Sequence, residues 1–210
     1  MGRYTGYCQA ICLGVLLMAG SSTLVWAQNR VSAKIGMHLH AENRVTWAKA
    51  KETLQAGDML RVYIVPEEDA YVYLVYSDGK TPVLLNGQTS GKKFSRGSVL
   101  VFPSENEFYQ TDGANPSEMF TVICSPNELP EISTLLNAAP PSHEKWIAFE
   151  EGLMKKSKVN MGSKSEKPFA ISGNVRGIVE EKNDSPLLKD LLVFSGESLL
   201  VKKYEFSVKK

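Results

Sequence analysis

Cysteine is scarce in this chain, net charge is nearly absent, and long apolar runs are missing. Three cysteines in 210 residues, at positions 8, 12 and 124, are too few to staple a small disulfide scaffold. The 24 basic groups against 23 acidic ones leave a formal charge of +1, without the positive field needed to coat nucleic acid or an anionic membrane. No Gly-x-Ser-x-Gly elbow, glycine-rich phosphate loop or His-Glu-x-x-His helix occurs, so no motif for nucleotide, serine-hydrolase or zinc-peptidase chemistry is present. What remains is ordinary globular material, 43% hydrophobic and 22% charged.

The N-terminus carries an address. Arg3 precedes the apolar stretch Ile11 to Ala19, a more polar run Gly20 to Thr23 follows, and Val25-Trp26-Ala27 places small residues at −3 and −1 of a cleavage site. This is the pattern of a secretory signal peptide over residues 1–27. The rival reading, an uncleaved anchor, needs about 20 apolar residues, and this core is shorter and interrupted. Cys8 and Cys12 precede the apolar core, where a lipidated cysteine would follow it. Cleavage after Ala27 would leave 183 of the 210 residues, formally neutral, with Cys124 alone. The expectation is a periplasmic or secreted protein held together by its core, without a membrane span once cleaved and without an internal disulfide.

Residues 28–125 read as a β domain. Val31, Ala33, Ile35, Met37 and Leu39 alternate with polar positions, the period of a half-buried strand. Met59–Val65 and Ala70–Tyr76 are apolar on both faces, as in the middle of a sandwich or beneath a helix. Asp78-Gly79 before Thr81–Leu85 is a hairpin signal, so residues 59–85 predict an antiparallel meander. Val99–Phe102 and Met119–Cys124 add two more strands.

The ordered set Leu54-Gln55-Ala56-Gly57-Asp58, Leu60-Arg61-Val62 and Ala70–Tyr76 with Asp78-Gly79, then Phe102-Pro103 through Glu118 to Ser125, resembles the bacterial family called domain of unknown function 4384. The resemblance covers roughly residues 45–130. Val83-Leu84-Leu85-Asn86-Gly87 stands where that pattern has Phe-Pro. The resemblance implies an exported or envelope-associated module without assigned catalytic residues.

Two helices are predicted next, at 128–138 and, with Ser142 as cap, at 142–156, where Glu144 opens and Lys155 and Lys156 close the second in keeping with the helix dipole. The helical segment and a Lys- and Ser-rich linker make up residues 126–168. Strand texture returns over 169–210: Phe169 to Val179, Leu191–Phe194, Leu199–Val201 and Tyr204–Val208. Some 40 residues are marginal as a separate domain, so these strands are expected to complete the first. The fold class is mainly β with two helices (α+β), an antiparallel β-sandwich or open barrel with the helices packed against it.

Candidate chemistry is sparse. His38, His40 and Glu42 fall on one face of a strand, a spacing that zinc could use; the plainer reading is a solvated strand face. Cys124 and His143 pair a thiol with a base, yet Cys124 ends an apolar strand where cysteine behaves as a small hydrophobe. Tyr71, Tyr73, Phe108 and Tyr109 could stack on a glycan, against the alternative of cross-strand packing. No cofactor is implied. The sequence therefore predicts a non-enzymatic, exported interaction module with an envelope or secreted protein as partner and no nucleic acid. Its surface would be an open sheet edge or the loops 86–97 and 104–117. The alternatives are a cell-wall glycan binder and a metal-dependent hydrolase built on His38 and His40.

Overall fold

The structure, a computed structural model, describes residues 30–42, 44–138, 141–158, 160–161, 188 and 190–209. The expected signal peptide and the expected strand from Phe169 to Val179 lie outside the described residues. Among those described, no helix is long and apolar enough to cross a membrane.

The chain forms two open sheets packed face to face. In order along the chain the strands are β1 (Arg30–Ala41), β2 (Arg44–Trp47), β3 (Lys51–Gln55), β4 (Met59–Pro66), β5 (Ala70–Ser77), β6 (Pro82–Leu84), β7 (Lys93–Phe94), β8 (Leu100–Phe102), β9 (Tyr109–Gln110) and β10 (Ser117–Ser125). The helices α1 (Pro130–Asn137) and α2 (His143–Ser157) follow, then β11 (Asn160–Met161), β12 (Leu192–Glu197) and β13 (Leu200–Lys209). The first sheet runs β11-β12-β1-β4-β8, with β2 on β1 and β9 on β4. The second runs β3-β13-β10-β5-β6, with β7 on β5. Pairing is antiparallel except between β3 and β13.

Alternation decides which side chains meet between the sheets. Ala33, Ile35, Met37 and Leu39 of β1 and Leu60, Val62 and Ile64 of β4 face Val72, Leu74, Phe120, Val122, Leu200 and Phe206 of the second sheet. Each large side chain buried there contributes about 1.5–3 kcal/mol. Cys124 belongs to this core, and burial pushes its thiol up to about 12.

The helices cover the outer face of the second sheet. Tyr73, Val75, Ile123 and Val201 pack there against Ile132, Leu136, Trp146 and Leu153. Ser142 accepts a hydrogen bond from the Lys145 amide at 3.4 Å, capping α2. Beneath α2, Glu150 is 2% exposed, receives a hydrogen bond from the Thr121 hydroxyl, and pairs with Lys203 at 2.8 Å.

The predicted meander is corrected in one respect. β5 and β6 form its hairpin, but β4 belongs to the first sheet and β5 to the second. Pro66 to Asp69 carry the chain across the sandwich, which lets the apolar inner faces of both strands oppose each other.

Candidate functional site

With α1 and α2 on the second sheet, the first sheet's outer face is built from the other half of the alternation. On β1 that half is Gly36, His38 and His40; on β4 it is Met59, Arg61 and Tyr63. Strand register sets them in rows. His40 lies between Val45 of β2 and Met59 of β4, and His38 between Trp47 and Arg61. Gly36 opposes Tyr63. A side chain at Gly36 would collide with Trp47 and Leu191, because a Cβ there would sit 2.8 Å and 2.5 Å from their atoms. The glycine leaves the room that the indole occupies beside β1.

The result is an aromatic cluster with one guanidinium in it. The His38 ring is 4.9 Å from Trp47 and 6.2 Å from Tyr63, and Trp47 is 5.8 Å from Tyr63. Phe108, from the loop after β8, stands edge-on to His40 at 4.5 Å. The Arg61 guanidinium stacks on Phe108, 3.8 Å from the ring centre. Its Nε donates to the Glu107 carbonyl at 3.0 Å, and one Nη donates to the Tyr63 hydroxyl at 3.4 Å.

His38 and His40 meet directly, Nδ1 to Nε2 at 3.1 Å, with rings nearly perpendicular. Burial lowers the pKa of both; His40 and then Arg61 lower that of His38 further, and Arg61 that of His40. Both imidazoles are therefore neutral at pH 7, one donating and the other accepting. Glu42 lies in the turn beyond β1, exposed, at φ 20°. Among the described residues, no three His, Cys, Asp or Glu are arranged to hold a metal ion.

At the strand ends the cluster opens into a cleft of about 500 Å³ whose walls include His40, Glu42, Arg44, Val45, Asp58 and Met59. Val45 is 58% exposed and Met59 37%. Asp58 is buried, its carboxylate accepting from the Gln55 amide at 2.9 Å, which shapes the turn that forms one wall.

The four aromatic candidates do not share a surface. Tyr73 is sealed under α1, its hydroxyl accepting from the Leu129 amide at 2.7 Å. Tyr71 packs at the edge of that helix-covered cluster. Tyr109 lies against Phe120 at the core margin, its hydroxyl pushed up to about 12 by burial. Phe108 alone reaches the cluster on the first sheet. Cys124 and His143 serve different surroundings, since His143 Nδ1 lies 3.1 Å from the Ser77 hydroxyl. Of the two predicted loops, 104–117 supplies Glu107 and Phe108. The other is tied down: Asn86 donates to the Val72 carbonyl and accepts from the Leu74 amide.

Trp47 and Arg61 are absent from the sequence-based candidates. Arg61 carried a signal, a lone charge inside an otherwise apolar strand. Trp47 carried none, because its place follows from the β1–β2 register. Set against models of known protein families, curated proteins and solved structures, the chain matches none.

Proposed function

We propose that this chain is an exported, non-catalytic binding module of the cell envelope or its surroundings. It takes a protein partner on the outer face of the first sheet. The observation that carries this reading is the half-buried Arg61–Phe108 stack beside the His38–His40–Trp47 cluster: an aromatic patch whose inner member His38 is buried, rimmed by exposed Val45 and Met59, on the side of the sandwich opposite the helices. Aromatic and arginine side chains fixed in this manner are the groups that anchor protein interfaces. The signal-like N-terminus supports the envelope setting. Binding is favoured over chemistry because the two imidazoles, the groups able to move a proton, are hydrogen-bonded to each other, while the guanidinium is held in place with donors to spare.

The test is affinity capture from the native envelope by the mature chain, its Phe108→Ala variant and its Met154→Ala variant. The expected result is a protein retained by the wild type and by Met154→Ala and lost with Phe108→Ala. Capture indifferent to Phe108 would overturn the reading. So would sedimentation with purified cell-wall sacculi that depends on Phe108, which would favour a glycan ligand. Stoichiometric zinc that disappears on replacing His38 and His40 with Ala would revive the hydrolase.

A further inference from the structure

We infer that the partner meets this surface through an acidic segment, placing a side-chain carboxylate on the Arg61 guanidinium and a neighbouring apolar side chain in the cleft beside Val45 and Met59. The inference rests on the binding face proposed above and adds the chemistry of what binds there.

Arg61 is a cation held in place and left without its natural counter-ion. A guanidinium carries five N–H donors. Two point at the Glu107 carbonyl and the Tyr63 hydroxyl, and Phe108 supports one face of the plane. Among the described residues no carboxylate lies within ion-pair distance of it, whereas Arg44 on β2 pairs with Glu52 at 3.7 Å. The remaining donors retain the fork geometry that binds a carboxylate through two parallel hydrogen bonds. Because stacking and two hydrogen bonds already fix the side chain, little rotamer freedom is lost when a ligand arrives.

The surroundings sort the ligand further. The nearby acidic groups are turned to partners other than Arg61: the Glu107 carboxylate accepts from the Ser104 hydroxyl at 2.9 Å, and that of Asp58 from the Gln55 amide. Glu42 and Arg44 both line the cleft, one charge of each sign. His38 and His40, neutral at pH 7, present ring edges and no charge. Met59 lies two residues from Arg61 on the same face of β4, so an extended segment laid along the strand reaches both with alternate side chains. This complementarity selects an acidic residue and an apolar one two positions apart.

Two capped peptides test this: one alternates glutamate with leucine at every second position, and the other has glutamine for each glutamate. Each is titrated into the mature chain at pH 7.5 and low salt, and the Arg61 Nε–H and Trp47 indole N–H signals are followed by NMR. The glutamate peptide should shift both signals and bind at least about tenfold more tightly than its counterpart, the scale of a charge-assisted contact. That preference should vanish in Arg61→Gln and shrink as salt is added. The wild-type shifts are a readout that needs no variant, should Arg61→Gln fold poorly. Equal binding of the two peptides, an unchanged preference in Arg61→Gln, or no shift at either signal would each overturn the inference. If Phe108-dependent capture persists while neither peptide binds, the binding face stands and its acidic partner falls. If capture ignores Phe108, the face itself falls.

Discussion

Between His38 Nδ1 and His40 Nε2 there is room for one hydrogen, not two. Protonating both imidazoles replaces a hydrogen bond with two opposed N–H groups, beside the permanent charge of Arg61. The unfolded chain, with ordinary imidazoles, therefore binds more protons than the folded one as pH falls below 6.5, and stability declines over that range. Thermal melts should give a lower Tm at pH 5.5 than at 7.5, and His40→Gln should flatten that slope. A slope unchanged in His40→Gln would place its origin elsewhere. Glu118 acts in the opposite sense. It is buried, and burial together with Asp112 and Asp78 raises its carboxyl pKa above 4.5. The folded state holds that proton more tightly, so the group's contribution is fully present at low pH and fades as pH rises through its raised pKa. Glu118→Gln should accordingly raise the Tm at pH 7.5 and leave it nearly unchanged at pH 4.

For the elements, the pair of buried Glu150 and part-buried Lys203 fastens α2 to β13. Removing only the cation leaves a carboxylate stranded under the helix, so Lys203→Met should cost about 3–5 kcal/mol in urea unfolding. The double variant Lys203→Met, Glu150→Leu should recover most of that loss. Failure to recover would mean that Lys203 acts through packing and not through its charge. Most long elements were legible in the sequence. The alternation of Val31 to Leu39 gave β1 its inner face, and the Ser142 cap and Lys155-Lys156 end marked α2 nearly to the residue. The strands β2, β3, β7, β9 and β11, two to five residues each, were not legible, because they are too short for a period to register and owe their existence to an edge that the fold provides. The jump of β4 and β5 to different sheets was hidden for a related reason. The turn from Pro66 to Asp69 reverses the chain whether or not the two strands pair.

At the scale of the whole molecule, the sandwich is asymmetric. One outer face is closed by α1 and α2, and the other carries the aromatic cluster, the fixed guanidinium and the open cleft. His38 and His40 were visible in the sequence as a pair on one strand face, but their surroundings were not. Trp47, Arg61, Met59 and Phe108 come from three other segments, and only inter-strand register brings them together. Site-specific photo-cross-linking in the native envelope reads directly which face of the sandwich meets the partner. A photoreactive residue is placed at Met59, on the first sheet, and in a second protein at Met154, exposed on α2. A covalent adduct with a partner protein is expected from position 59 and none from position 154. Adducts from 154 with none from 59 would contradict that placement.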